Sequence, residues 1–280
     1  MSLTRFAPSP TGRLHLGHAL AAKEAFGFGR CLLRIEDIDH TRCSQDFTLG
    51  IYKDLDWLGF DWPLPVRVQS QHYLDYAKVI AELLGRGLAY PCELTRRELK
   101  EGQRSDSTAK LSEDTFLAHF KGPEDVPLPP PSLPYAIRLN VGKALASLSE
   151  AELTFTETGQ HQDGIQINVK DDLRDWAISE RPDPIIARKD IGASYHIAVT
   201  HDDNLQGITH VVRGLDLFDE TALHVLIQKL MGWPTPIYHH HALLLREDGE
   251  KLSKRGLDTS LHSLRENGLT AAQVLAMANP

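Results

Sequence analysis

Apolar positions recur along the chain first at strand spacing, then at helix spacing, and the changes of period mark the elements. Ser2 to Ala7 reads as a short strand. The turn-rich stretch Pro8-Ser9-Pro10-Thr11-Gly12 follows, and an Ala-rich helix is predicted from about Gly17 to Phe26. Cys31 to Ile35 is a compact apolar run, the mark of a buried strand. Strand, Gly/Pro loop, helix and strand make a βαβ unit, which predicts a parallel sheet. Ser44 is placed to cap a helix carrying Phe47, Ile51, Leu55 and Leu58 at helical spacing. A second helix is predicted from about Ser70 to Gly87, with Leu74, Ala77 and Leu84 on one face and Gly87 as its stop.

Farther along, Gly122 to Pro134 holds six of the 16 prolines and reads as a stiff linker or surface loop, not as core. Tyr135 to Val141, Leu153 to Thr156 and Ile165 to Val169 are short strand-like pieces. Ser194 to Thr200 and Thr209 to Val212 look like strands of the main sheet. Phe218 to Met231 is helical by pattern, Ala242 to Leu245 an apolar strand before the polar loop Glu247 to Lys251, and Ala271 to Ala278 a short last helix. The predicted fold class is α/β: a doubly wound parallel sheet interrupted by a smaller α+β insertion, with a short helical C-terminal part. The expected boundaries are 1–89 and 191–245 for the two halves of the main domain, 90–190 for the insertion and 246–280 for the C-terminal loop and helix.

Composition narrows the class. A chain of 280 residues with 41% hydrophobic and 24% charged residues is globular, and at this length it buries roughly 75% of its unfolded surface without needing a staple. Cys31, Cys43 and Cys92 are an odd number at wide spacing, which points to a reducing compartment and away from a disulfide framework. Arg5, Pro8 and Pro10 stand where a signal peptide needs an apolar core, and no apolar run approaches the roughly 18 residues of a membrane helix. The expectation is a cytoplasmic protein, a monomer, with no membrane partner. A net charge of −8 argues against sequence-blind nucleic-acid binding but leaves room for a local basic face.

Three groups of residues could carry chemistry. His15-Leu16-Gly17-His18 follows the first strand and opens a helix, where free N–H groups favour phosphate. Gly17 would let a nucleotide come close to the backbone, and two imidazoles there could donate to a phosphate as charge builds on it. An isolated motif of this kind is equally a loop with two incidental histidines. Lys251-Leu252-Ser253-Lys254-Arg255 alone is a solvated basic loop; paired with the N-terminal motif it supplies a cation for a leaving pyrophosphate. Arg5, Glu36, Tyr195 and Arg213 each fall at or near the end of a predicted strand, where open α/β sheets bind ligands. Two arginines, a carboxylate and a phenol suit an acidic amino acid, since arginine meets carboxylate bidentately and Glu36 could take the α-ammonium. From spacing alone the plainer reading is a surface ion-pair cluster of Arg34, Glu36, Asp37 and Asp39.

The motifs in combination resemble glutamyl-tRNA synthetases, a family of class I aminoacyl-tRNA synthetases. RFAPSPTG at Arg5 to Gly12 with HLGH is similar to the family's opening signature. RIEDID at Arg34 to Asp39, DLDWLG at Asp54 to Gly59, GLAYPC at Gly87 to Cys92, YHIAVTHDD at Tyr195 to Asp203 and GITHVVRG at Gly207 to Gly214 match it too, and KLSKR resembles its second signature loop. The chain stops 25 residues after KLSKR, where the family's helical anticodon-reading domain would begin. In that it resembles the truncated paralogues of the family, the glutamyl-queuosine tRNA(Asp) synthetases.

The resemblance implies a Rossmann-type catalytic domain that activates L-glutamate with ATP without needing tRNA. It also implies transfer of glutamate to the queuosine base of tRNA(Asp). It implies that Arg5, Ala7, Ser9, Glu36, Tyr195 and Arg213 hold glutamate. His15, Gly17, His18, Lys251 and Lys254 would hold ATP, with His15, His18 and Lys254 catalytic. Mg2+ is expected to come with the ATP phosphates.

Many of these paralogues carry zinc just after the Tyr-x-Cys step. Here Leu94 stands at the second thiolate position after Cys92, and no cysteine follows, so no metal site and no zinc is expected. His239-His240-His241 would alternate faces in a strand and cannot easily share one ion; His119 and His161 are the next candidate ligands. Two other readings stay open: a minimal glutamyl-tRNA synthetase charging a tRNA 3′ end, and a non-catalytic synthetase-like tRNA-binding module. Intact HLGH, Glu36, Arg213 and Lys254 argue against the second.

Overall fold

Strict alternation along the first strands sorts their side chains onto two faces of one sheet. A computed structural model of the protein describes residues 2–95, 97–98, 101, 106–120, 131–148, 153–159, 164–179, 181–244 and 260–279. In it β1 (Leu3–Phe6) and β2 (Arg30–Ile35) pair in parallel, from Leu3 opposite Arg30 to Phe6 opposite Leu33. Helix α1 (Leu16–Gly27) connects them, completing the expected βαβ unit. β3 (Arg67–Val68) adds in parallel on the far side of β2, after helix α2 (Gln45–Leu58), whose N-cap is Ser44 as predicted, its hydroxyl accepting from Phe47 N–H.

A second group of strands comprises β6 (Thr154–Glu157), β7 (Ile165–Asn168), β9 (His210–Gly214) and β10 (Ile237–His241), in the order β7-β6-β10-β9. All of its pairings but β6–β7 are parallel. β1 lies alongside β9, where Thr209 N–H donates to Leu3 O at 3.0 Å and Thr209 Oγ1 accepts from Leu3 N–H at 2.8 Å. The fold is thus the doubly wound α/β type. A small antiparallel sheet of β4 (Ala89–Cys92), β5 (Ala136–Leu139) and β8 (Ile185–Ala187) stands beside it. β6 and β7 fall inside the 90–190 stretch read as an insertion, yet β6 pairs with β10 at Glu157 and Tyr238.

Eight more α-helices are described, besides short 3-10 turns: α3 (Tyr73–Gly85), α4 (Glu113–Leu117), α5 (Val141–Ala146), α6 (Lys170–Ile178), α7 (Tyr195–Leu205), α8 (Thr221–Leu230), α9 (Leu261–Glu266) and α10 (Ala271–Met277). Cys31, Leu33, Ile35, Phe6 and Val212 bury into one core with α1 and α2. Leu3, Leu32 and Val211, of opposite parity, pack toward a second core with α3, α7 and α8. The same parity puts Arg5, Arg34 and Arg213 on the α7 side.

Four expectations change. Ser194 to Thr200 is not a strand; it opens α7, capped by Ser194, whose hydroxyl accepts from Ile197 N–H. Ile197, Ala198, Val199 and Thr200 are all buried, so the helix has no polar face there, and apolar periodicity cannot separate it from a strand. Tyr195 therefore sits at a helix start rather than a strand end. Leu74 is 43% exposed; Tyr73, Tyr76, Ala77, Ile80 and Leu84 form the buried face of α3. Leu133, in the Pro-rich stretch, is buried, with its N–H donating to Lys189 O at 2.7 Å, so that end of the stretch belongs to the core; 121–130 lie outside the described residues. The last strand among the described residues is Ile237–His241, and Ala242 to Leu244 are not part of it, because backbone pairing from Ile237–His210 to His241–Gly214 defines it, not apolar content; Leu245 lies outside the described residues.

What fastens α7 to the sheet is charge. Asp203 Oδ1 accepts from Arg5 Nε at 3.0 Å and from Arg34 Nη2 at 2.6 Å. Its neighbour Asp202 accepts from Arg67 Nε at 2.7 Å, Gln69 Nε2 at 3.0 Å and Tyr76 Oη at 2.9 Å. Replacing Asp203 with Asn strips two buried guanidiniums of their shared carboxylate. A loss of about 3–5 kcal/mol is expected, read as a lowered urea midpoint; a change within about 0.5 kcal/mol, the size of an ordinary surface substitution, would mean the bridge adds nothing.

Candidate functional site

The crevice of an open α/β sheet lies at the carboxyl ends of strands where the strand order reverses. Here that point is between β1 and β9. A cavity of about 660 Å³ opens there. Of the sequence-predicted residues it gathers Arg5, Ala7, Ser9, His15, Gly17, His18, Glu36, Tyr195 and Arg213. Lys251 and Lys254 lie outside the described residues. The described residues on either side of them are placed at the cavity: Leu244 lines it, and Ser260 forms a β-bridge with His15, next to Leu261 N–H donating to Leu14 O at 2.8 Å.

The loop after β1 is strapped in place by its carbonyls. Pro8 O accepts from Glu36 N–H at 3.2 Å and Pro10 O from Ser44 N–H at 3.1 Å, which ties the loop to the ends of β2 and the start of α2. Two prolines lack N–H groups of their own, so the strap uses only acceptors. At the head of α1, His15 Nδ1 accepts from Gly17 N–H at 3.1 Å, and His18 Nδ1 accepts from His15 N–H at 3.1 Å. Both Nδ1 atoms are acceptors, so a neutral ring in either position carries its proton on Nε2. A Cβ on Gly17 would come within 3.0 Å of the His15 ring. A side chain there would make the capping ring give by a few tenths of an ångström.

Glu36 is 9% exposed, and burial pushes its carboxyl up to about 7 against the pull of Arg34 and Arg5. Its ion-pair distance to Arg34 Nη1 is 3.8 Å, and among the described residues that buried Nη1 has no hydrogen-bond partner. The plainer reading of Arg34, Glu36, Asp37 and Asp39 as a surface cluster does not hold: Arg34 is fully buried, and Asp37 accepts from the Ser70 N–H and hydroxyl at 2.8 and 2.7 Å.

Arg213 is 5% exposed and, among the described residues, has no carboxylate partner. Its Nε donates to His240 Nε2 at 3.1 Å, Nη1 to His224 Nδ1 at 3.1 Å and Nη2 to Thr221 Oγ1 at 2.7 Å. Three of its five N–H groups are used, and two remain, one on each terminal nitrogen. Burial, then Arg213 and His196, hold His224 well below the usual imidazole range, so it stays a neutral acceptor. The site therefore presents a buried cation in search of an anion, a carboxylate facing it, and a helix start beside both.

Sequence reasoning missed several neighbours of these groups. Asp203, Thr221, His224, Asp216 and His241 lie in or against the cavity, and Glu157 reaches Arg213 through His240. For His240 the only signal in the sequence is the alternation of His239-His240-His241 if they form a strand; for Glu157 the sequence offers none. Among the described residues no cluster of three or more His, Cys, Asp or Glu could hold a metal. Cys92 is buried in β4, His119 packs edge-on against Tyr135 at 6.3 Å, and His161 lies outside the described residues. No described helix is long and apolar enough to cross a membrane.

Comparison with known proteins gives a consistent picture. The family model "tRNA synthetases class I (E and Q), catalytic domain" matches residues 2–122 and 154–278. A protein of Rhodobacter capsulatus named glutamyl-Q tRNA(Asp) synthetase is 39% identical, over 97% of this chain and 98% of its own. A glutamate–tRNA ligase of Aquifex aeolicus is 36% identical over 95% of this chain but only 54% of its own length. The chain thus spans nearly all of the first relative and about half of the second. A glutamate–tRNA synthetase structure from Elizabethkingia anophelis superposes with a TM-score of 0.65 at 26% identity, over 96% of this chain and 54% of that one. A Mycobacterium tuberculosis methionyl-tRNA synthetase, 12% identical over 99% of this chain and 64% of its own, shares the fold with a TM-score of 0.58.

The raised Glu36 carboxyl makes a testable stability claim. The folded protein binds this proton more tightly than the unfolded chain does, so stability falls as pH rises from the unfolded value, about 4.5, through about 7, and is level above it. The penalty is on the order of 3 kcal/mol at 1.36 kcal/mol per unit. Glu36→Gln keeps the neutral form at every pH. It is expected to be more stable than the parent at pH 8 and near-equal at pH 4.5 in urea titrations; a variant less stable at pH 8 would show that Glu36 is stabilised as the anion.

Proposed function

The chain belongs to the class I tRNA synthetase (E and Q) catalytic-domain family, and on that premise we propose that it activates L-glutamate with ATP. On this reading it forms glutamyl-adenylate without tRNA and passes glutamate to the queuosine base of tRNA(Asp). The observation that carries the reading is that one cavity holds a charge set shaped for glutamate and the HLGH helix start suited to phosphate.

Arg213, with two N–H groups to spare, and Arg5 take the carboxylates. Glu36, ionised once an ammonium is near it, takes the amino group. Ala7 and Ser9 shape the wall, and Tyr195 closes the far side. His15 and His18 donate from Nε2 to the phosphates, and Lys251 and Lys254 supply cation to the leaving group. The α-carboxylate oxygen attacks the α-phosphorus in line, the P–O bond to pyrophosphate breaks, and the mixed anhydride forms. Of the cavity's carboxylates, Glu36 and Asp216 offer no cage for a divalent ion, which fits Mg2+ held by substrate phosphates, where it offsets their charge. Transfer to queuosine is supported by the near full-length match to the Rhodobacter capsulatus protein.

The expected outcome is glutamate-dependent ATP–pyrophosphate exchange with no tRNA added, and glutamate transfer to tRNA(Asp) only when it carries queuosine. Exchange that requires tRNA, with transfer to a 3′ end, would move the reading to a minimal glutamyl-tRNA synthetase. No exchange under either condition would favour a binding module. Arg213→Ala is expected to lower kcat/KM for glutamate by about 10²–10³, because a desolvated carboxylate loses its partner at about 3–5 kcal/mol. ATP binding should be little changed. Arg213→Lys should also fail substantially, since a point charge cannot replace the fork. Near-normal kinetics in either variant would mean the glutamate site lies elsewhere.

A further inference from the structure

The guanidinium of Arg213 is aimed by a chain of hydrogen bonds that begins outside the cavity. Glu157 closes β6, and both its oxygens accept. Oε1 takes Gly159 N–H at 2.6 Å and His240 N–H at 3.1 Å; Oε2 takes His240 Nδ1 at 2.5 Å. On the other side of the ring, His240 Nε2 accepts from Arg213 Nε at 3.1 Å, with Thr221 Oγ1 at 3.3 Å from the same nitrogen. Arginine can only donate, so Nε2 must be unprotonated and the ring proton must sit on Nδ1. Only an acceptor at Nδ1 holds it there, and Glu157 is that acceptor. Glu157 and His240 are 3% and 2% exposed, so no water competes for the ring. Gly159 makes the close approach possible: a Cβ there would lie 2.3 Å from His240 O and 2.5 Å from Glu157 Oε1.

We propose that Glu157 is a positioning residue for glutamate activation: through His240 it fixes the tautomer that presents an acceptor to Arg213 Nε and so orients the guanidinium toward the substrate carboxylate. The inference rests on the glutamate-activation reading. Glu157 touches no substrate. It acts from β6, which pairs with β10 at Glu157 and Tyr238, so a stretch read as an insertion reaches the main sheet through this residue.

The isosteric Glu157→Gln variant tests it. One amide oxygen cannot serve both the backbone pair and the ring. With the oxygen kept on the two backbone N–H groups, the amide NH2 faces His240 Nδ1, and the ring proton moves to Nε2, against Arg213. The expected result in full-length E157Q is a rise of at least tenfold in KM for glutamate in pyrophosphate exchange. KM for ATP should stay within twofold and the melting temperature close to the parent. Two-bond ¹⁵N–¹H correlations of the imidazoles should show His240 switched from the Nδ1–H to the Nε2–H form.

His240→Gln supplies the control. A glutamine oxygen there accepts from Arg213 whatever residue 157 is, so adding E157Q to H240Q should leave KM for glutamate unchanged. An unaltered tautomer in E157Q overturns the proposal. So does an equal rise in both KM values with a lowered melting temperature, or full additivity of the two substitutions. A parent protein with no glutamate-dependent exchange overturns the activation reading itself, before any variant is compared, and the positioning role falls with it.

Discussion

One carboxylate oxygen, Asp203 Oδ1, receives both Arg5 and Arg34 in the sheet's buried polar layer, and the site's electrostatics follow from that sharing. Arg5, Arg34 and Arg213 all face α7; Asp203 pairs with the first two, Glu36 lies 3.8 Å from Arg34, Asp202 adds its field to Arg34, and among the described residues no carboxylate contacts Arg213. Removing an ion from water is expensive unless its charge is met. On the proposed reading, a substrate carboxylate meets Arg213, and the amide of glutamine would leave that buried cation unmet. On that reading, discrimination of a side-chain carboxylate from an amide arises from a deficit built into the fold, a buried guanidinium held by imidazoles and a hydroxyl rather than by a carboxylate.

The same deficit explains why the histidines around Arg213 act as acceptors. Burial depresses His224, and Arg213 adds to the effect; burial also depresses His240, despite its bond to Glu157. On the proposed reading, a carboxylate in direct contact with Arg213 would compete with the substrate. Neutral imidazoles and the Thr221 hydroxyl hold the guanidinium without neutralising it, and the ring of Tyr238 lies 5.1 Å from its carbon.

Much of this was legible in the residues. The strand parity that places Arg5, Arg34 and Arg213 on one face can be read from the alternation in Leu3–Phe6, Arg30–Ile35 and His210–Gly214, and the Pro/Gly loop before HLGH marks the turn into α1. Three things were not legible. α7 is buried almost all round, so its period is hidden. β10 is a strand by pairing rather than by apolar content. Glu157 is separated from its partner His240 by 83 residues, and nothing local marks a Thr-rich strand end as reaching a buried imidazole. Local pattern carries period, caps and turns; it does not carry which distant polar group a buried atom will find.

The HLGH segment shows local and functional demands meeting in the same atoms. A helix start leaves N–H groups unsatisfied, and His15 answers one of them with its own Nδ1 while His18 answers the His15 N–H. Capping by serine or aspartate would satisfy the backbone equally well, but only an imidazole keeps a second nitrogen, with a proton on it, after the cap is made. Glycine at position 17 spares the capping ring a tight contact, since a Cβ would lie 3.0 Å from His15 Cε1. The motif therefore reads as a cap whose backbone bonds set the tautomer of both neutral rings, and on the proposed reading Nε2–H is the group each ring would offer a phosphate.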